Sequence, residues 1–91
     1  MGQKENYVES YLVKQGQKKG FMVLKFTSPG TNGVPDRILI GHDRIIFVET
    51  KAKGEKARPL QNAVIKEMQR HGAEVHILDT REKVDSFLQN F

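Results

Sequence analysis

Residues 33–51 read GVPDRILIGHDRIIFVETK. Two apolar, β-branched runs, RILI at 37–40 and RIIFV at 44–48, flank Gly41, His42 and Asp43, the pattern of a β-hairpin. A two-residue loop at His42 and Asp43 sets Gly41 opposite Arg44, and every cross-strand pair then has positions summing to 85. A four-residue loop keeps that register, whereas a three-residue loop breaks it. In this register Asp36 falls opposite Glu49, with side chains on one face, and Lys51 follows two residues later on that same face. Ile45 and Phe47 point one way and Ile46 and Val48 the other, so both faces of the second strand read as buried and call for helices on both sides of the sheet.

The rest of the chain supplies them. Tyr7, Val8, Tyr11 and Leu12 recur at helical spacing within residues 4 to about 15, a first helix ending near Gly16. FMVLKFTS at 21–28 is rich in strand formers, and the turn-rich PGTNGVP leads from it into the hairpin. Beyond the basic stretch KGEKAR, Pro59 suits the first turn of a helix running to about His71 and stopped by Gly72. AEVHILD at 73–79 is a fourth strand, and Asp79 with Glu82 has capping-box spacing before a last helix carrying Val84, Phe87 and Leu88. The expectation is one α/β domain over residues 1–91, ordered αβββαβ(α), with a mixed sheet flanked by helices.

The chain has 91 residues, no cysteine and a formal net charge of +4. A chain this long makes one domain with little stability to spare. Without cysteine it has no disulfide framework or thiolate metal site, and His42, His71 and His76 lack zinc-ligand spacing. The amino terminus has no apolar run suited to a signal peptide or a membrane span, which predicts a soluble, intracellular protein. The positive charge is clustered. Lys14, Lys18, Lys19 and Lys25 form a run without an acid, and Lys51, Lys53, Lys56 and Arg58 face Glu55 alone. Such clustering favours a polyanion, most simply nucleic acid, although solvated faces produce it as well.

Two opposed carboxylates such as Asp36 and Glu49 repel by about 4 kcal/mol at 4 Å with an effective dielectric near 20. A shared proton, a basic neighbour or a bound cation must offset that. A hard divalent ion such as Mg²⁺ prefers oxygen ligands. Thr50, turned to the other face by strand alternation, leaves its carbonyl as a further oxygen donor. An ion held there would acidify a water and, with Lys51, offset the charge that builds on a phosphate under attack, so the fitting reaction is phosphodiester hydrolysis. A salt bridge between Lys51 and the acids is the purely structural alternative.

Pro35-Asp36, twelve residues, then Glu49-Thr50-Lys51 resembles the PD-(D/E)xK nuclease signature, and GVPDRILI with FVETK and KARPLQ (56–61) resembles a stand-alone domain of the VRR-NUC family. The resemblance implies a restriction-endonuclease-like core, Asp36 and Glu49 as metal ligands with the Thr50 carbonyl, and Lys51 as the catalytic lysine. It also implies a glutamine on the helix after the motif, which Gln61 matches, and an acid on the first helix. Glu5 and Glu9 are the candidates for that acid. On a helical wheel Glu5 lies about 90° and Glu9 about 130° from the apolar centre, which favours Glu5 at the core boundary. Lys25, Lys53, Lys56 and Arg58 are candidate DNA phosphate contacts. Arg37, on the face opposite the acids, reads as structural.

The implied activity is that of an Mg²⁺- or Mn²⁺-dependent DNA endonuclease resolving four-way (Holliday) junctions. Symmetric cutting needs two sites, and hence a homodimer. A monomeric flap or nick nuclease and a non-catalytic basic DNA-binding module are the other readings. A compact chain of this kind also suggests a phage or mobile-element gene, acting in the cytoplasm or on the nucleoid of a bacterial host.

Overall fold

His42 and Asp43 both adopt positive φ, 54° and 61°, the type I′ geometry whose twist matches that of the strands it joins. Gly41 accordingly pairs with Arg44, and the ladder continues through Ile40–Ile45, Leu39–Ile46 and Ile38–Phe47 to Arg37–Val48. The register inferred from the sequence is the one observed, and Asp36 and Glu49 lie one step beyond its last pair.

A computed structural model of the protein describes residues 7–52, 55 and 58–91. The elements are α1 (Tyr7–Lys18), β1 (Met22–Lys25), β2 (Arg37–Gly41), β3 (Arg44–Thr50), α2 (Pro59–Arg70), β4 (Glu74–Leu78) and α3 (Arg81–Leu88). The sheet order is β1-β2-β3-β4. The first two pairings are antiparallel and β3–β4 is parallel, so the sheet is mixed. A parallel neighbour requires a crossover, and α2 provides it. No helix among the described residues is long and apolar enough to cross a membrane.

Alternation divides the sheet into two faces. On one, Leu39, Ile46, Val48 and Leu78 pack with Val8 and Leu12 of α1 and with Val84, Phe87 and Leu88 of α3. Complete burial of a Leu, Ile or Val side chain contributes roughly 1.5–3 kcal/mol, so this layer carries most of the fold's apolar stabilisation. On the other face Val75 of β4 and Ile65 of α2 are buried, and Phe47 stacks near Phe26 with ring centroids 5.4 Å apart. Helix α2 contacts β4 and leaves the β1 side of that face open. Met22, Leu24, Ile40 and Ile45 are therefore 59%, 41%, 39% and 61% exposed. The expectation that both faces of β3 are buried thus fails at Ile45.

Three boundaries also differ from expectation. Helix α1 runs past Gly16, which is buried in the helix. A Cβ there would meet Val23 Cγ2 at 3.2 Å, so this glycine lets helix and sheet approach. The stop is Gly20, at φ +91°, in a Schellman motif. Its N–H donates to the Gln17 carbonyl and that of Phe21 to the Gly16 carbonyl, both at 3.0 Å. Gly72 ends α2 the same way, as expected, with its N–H on Gln69 O and that of Ala73 on Met68 O. Helix α3 is capped by Thr80, whose Oγ1 accepts from the Lys83 N–H at 3.0 Å; Asp79 instead ion-pairs with Lys83 Nζ at 2.9 Å. Strand β1 is shorter than the apolar run that encodes it, because only Met22–Lys25 pairs with β2.

Candidate active site

The hairpin end gathers the acids through main chain as well as side chain. Glu49 is buried, 5% exposed; its Oε1 accepts a hydrogen bond from the Asp36 N–H at 3.1 Å. Its Oε2 lies 3.1 Å from Lys51 Nζ. One carboxylate therefore ties the start of β2 to the end of β3 and holds the lysine on the face predicted for it.

Asp36 receives a side-chain hydrogen bond from Thr50, Oγ1 to Oδ2 at 3.3 Å, and a backbone hydrogen bond from the same residue. The expectation that Thr50 turns away is corrected here: where the ladder ends, the Asp36 side chain reaches the hydroxyl. Oδ1 of Asp36 is buried and lacks a hydrogen-bond partner among the described residues. Burial, followed by the charges of Glu49 and Glu9, pushes the Asp36 carboxyl up to about 6 from its ordinary 3.8, against the opposing pull of the Thr50 bonds. The protein thus holds a carboxylate where its charge is costly, a frequent mark of a functional group.

Gln61 approaches from α2. Its Oε1 is likewise buried and without a partner among the described residues. With Lys51, Arg58, Leu60, Asn32, Gly33 and Val34 it lines a cleft of about 460 Å³. The glycine at 33 is required by geometry. It sits at φ +91°, and a Cβ would lie 3.2 Å from Gln61 Cα and 3.3 Å from Leu60 O. The loop before Asp36 is thereby pressed against the first turn of α2. That turn begins at Arg58 with no side-chain cap on its N–H groups, leaving them available to an anion.

Of the basic candidates, Arg58 lines the cleft, while Lys25 stands on β1 across from Arg37 and outside the cleft lining. Glu5, Lys53 and Lys56 lie outside the described residues. The other helical candidate, Glu9, is in the first turn of α1. Its Oε2 is 2.8 Å from Arg37 Nε, with the two side chains 20% and 19% exposed. Its charge also raises Asp36. Helical-wheel reasoning placed Glu9 away from the core and could not foresee that Arg37 would rise from the sheet to meet it.

The donor set suits a hard divalent cation. Such an ion takes oxygen ligands, and the Asp36 and Glu49 carboxylates offer them, with Oδ1 of Asp36 buried and without a hydrogen-bond partner among the described residues. Among the described residues no three His, Cys, Asp or Glu side chains form a group that could hold a metal, so neutral oxygens of Gln61 or the Thr50 main chain would complete the set.

No family model matches the chain. It is 40% identical over 80 residues to the "Putative nuclease p44" of Acyrthosiphon pisum secondary endosymbiont phage 1, a match spanning 87% of this chain and 86% of that protein. Its fold superposes on a solved structure described as "VRR_NUC domain" with a TM-score of 0.83 and 26% identity, covering 92% of each chain. A mixed sheet with helices on both faces, the Asp36–Glu49–Lys51 arrangement at its hairpin end and these two relatives identify the chain as a nuclease of the VRR-NUC family.

Proposed function

We propose that the protein is a Mg²⁺- or Mn²⁺-dependent DNA endonuclease that cuts branched DNA as a homodimer. The observation that supports the metal-dependent part is that Asp36, hydrogen-bonded through its N–H to the buried Glu49, keeps a buried Oδ1 without a hydrogen-bond partner among the described residues, as does Gln61 at its Oε1. Asp36, Glu49, Gln61 and the Thr50 carbonyl would hold the ion. When bound, it supplies Lewis-acid polarisation of the scissile phosphate and acidifies the attacking water.

The chain's own residues do the rest. Asp36 must be ionised to bind the cation, so protons compete below about pH 6. Lys51, 15% exposed and held by Glu49, presents an ammonium to the cleft, where it orients the water or offsets charge on the pentavalent phosphate. Arg58 and the uncapped N–H groups of α2 receive the phosphate backbone.

The homodimer reading is supported by the open sheet face. Met22, Leu24, Ile40 and Ile45 form an apolar patch on the order of a few hundred Å², the size at which exposed patches mark interfaces. Doubled across a two-fold axis, it supplies the apolar centre of a standard interface of roughly 1,600 Å². Two copies provide the two sites that paired cutting of a four-way junction needs. Kinship to a phage protein supports action on DNA inside an infected bacterial host.

The test is cleavage of a labelled immobile four-way junction, beside linear duplex and flap DNA, with Mg²⁺, Mn²⁺ or EDTA, comparing the parent with Lys51→Ala. Paired, metal-dependent cuts near the branch point that vanish in the variant are expected. Cleavage of flaps or linear DNA alone would discard the junction role. Binding without cleavage under every condition would favour the DNA-binding module.

A further inference from the structure

We propose that Asn32 is a specificity-determining residue of this nuclease: from the rim of the cleft its carboxamide hydrogen-bonds a base edge, adenine by preference, beside the phosphate that Lys51 and Arg58 engage. This rests on the DNA-cleaving reading above and adds a sequence preference to it.

An asparagine before a glycine is ordinarily a turn residue, for one of two reasons. It tolerates a left-handed backbone, or its side chain bonds the main chain close by. Neither holds at position 32. Among the described residues the non-glycine positions with positive φ are His42 and Asp43, and the left-handed residue of this turn is Gly33, at +91°. The Asn32 side chain is exposed and makes no hydrogen bond among the described residues. The fold therefore makes no use of the carboxamide.

The loop that carries it is nonetheless fixed. At its base the Phe26 N–H donates to the Asp36 carbonyl at 2.8 Å, and within it the Thr31 N–H donates to the Ser28 carbonyl at 3.2 Å. Pro35 is fully buried, and Gly33 lies against Gln61 and Leu60 of α2. A side chain presented by such a loop has little freedom left to lose on binding.

The cleft lining divides its chemistry. Lys51 and Arg58 are cations, suited to phosphate oxygens, and Gln61 keeps its Oε1 buried. Asn32 is the exposed, neutral polar side chain among the lining residues. A neutral amide adds little to phosphate affinity, but its acceptor and two donors match the N6 donor and N7 acceptor of adenine. Phosphate contacts position a duplex and base contacts specify its sequence. A backbone drawn into the cleft by the two cations brings its adjoining groove to the rim where Asn32 stands.

The experiment is cleavage of four-way junctions and linear duplexes with randomised base pairs, in Mg²⁺ or Mn²⁺, with cut positions read by sequencing. It compares the parent, Asn32→Ala and Arg58→Ala, beside the salt dependence of DNA binding in EDTA. The parent should favour adenine about tenfold at one position fixed relative to the cut. Asn32→Ala should level that position by slowing the adenine sequences, with the salt slope of binding kept, because a neutral side chain releases no counterion. Arg58→Ala should weaken binding of all sequences alike and reduce the slope by about one. Both residues are exposed, so thermal unfolding of the variants should match the parent. A parent without base preference near the cut, or an Asn32→Ala variant that slows every sequence equally, would overturn the assignment. A preference levelled by the variant but directed at another base would overturn the pairing with adenine. Failure of the parent to cut any DNA with either metal would overturn the DNA-cleaving reading itself, and the inference with it.

Discussion

Replacing Asp36 by Asn should stabilise the metal-free protein while abolishing cleavage. In the unfolded chain Asp36 titrates at its ordinary 3.8, and in the folded protein at about 6. Between those values the folded state binds more protons, so stability falls as pH rises through the interval and stays low above it. At about 1.4 kcal/mol per pH unit, the interval corresponds to ~3 kcal/mol at pH 8. Asn carries no charge and keeps one oxygen for the Thr50 donors, but it gives up the charge-assisted part of those bonds. A net gain of about 2 kcal/mol, or roughly 10 °C in Tm for a domain of this size, is therefore expected. The assay is urea or thermal unfolding in EDTA from pH 4 to pH 8.5, taken as the difference between variant and parent, in which carboxyls common to both cancel. The difference should be small near pH 4 and grow through pH 6. Adding Mg²⁺ should stabilise the parent and not the variant. An Asn variant no more stable than the parent at pH 8, or a difference that shrinks as pH rises, would refute the reasoning.

Other outcomes follow from the same geometry. Gly33→Ala should cost about 1–3 kcal/mol and lower cleavage, because a left-handed φ and a Cβ pressed on Gln61 strain the loop against α2; chemical denaturation and a rate assay read both effects. Inserting one residue between His42 and Asp43 should shift the register and remove Asp36 from opposite Glu49, eliminating activity even where circular dichroism still reports a folded protein. Ile45→Glu with Met22→Glu should make the protein monomeric in sedimentation and end paired cutting of a junction. A dimer surviving both changes would remove the open sheet face from consideration.

The hairpin and its acids were legible in the sequence because strand side chains alternate with a period of two, so one turn fixes every pairing down to Glu49. The Gly72 stop was legible for a similar local reason. Gly16 misled because a glycine that packs and a glycine that ends a helix look alike until the neighbouring strand is in place; Val23 decided the matter. Thr80 was overlooked beside the better-spaced Asp79, whose carboxylate is engaged by Lys83 instead. The exposure of Ile45 depends on how far α2 reaches across the sheet, which periodicity does not encode. The place of Asn32 in the cleft lining and the ion pair between Glu9 and Arg37 escaped for a related reason: they exist only once loop, strand and helix meet, although Glu9 itself was one of the two candidate helical acids.

The contact between Gly33 and the first turn of α2 has a bearing on how such a protein can vary. Gln61 is backed by that loop, whose backbone at Gly33 leaves no room for a Cβ against it. A residue added to or removed from the loop before Asp36 would carry Gly33 off the helix turn, so among relatives that loop should keep a fixed number of residues.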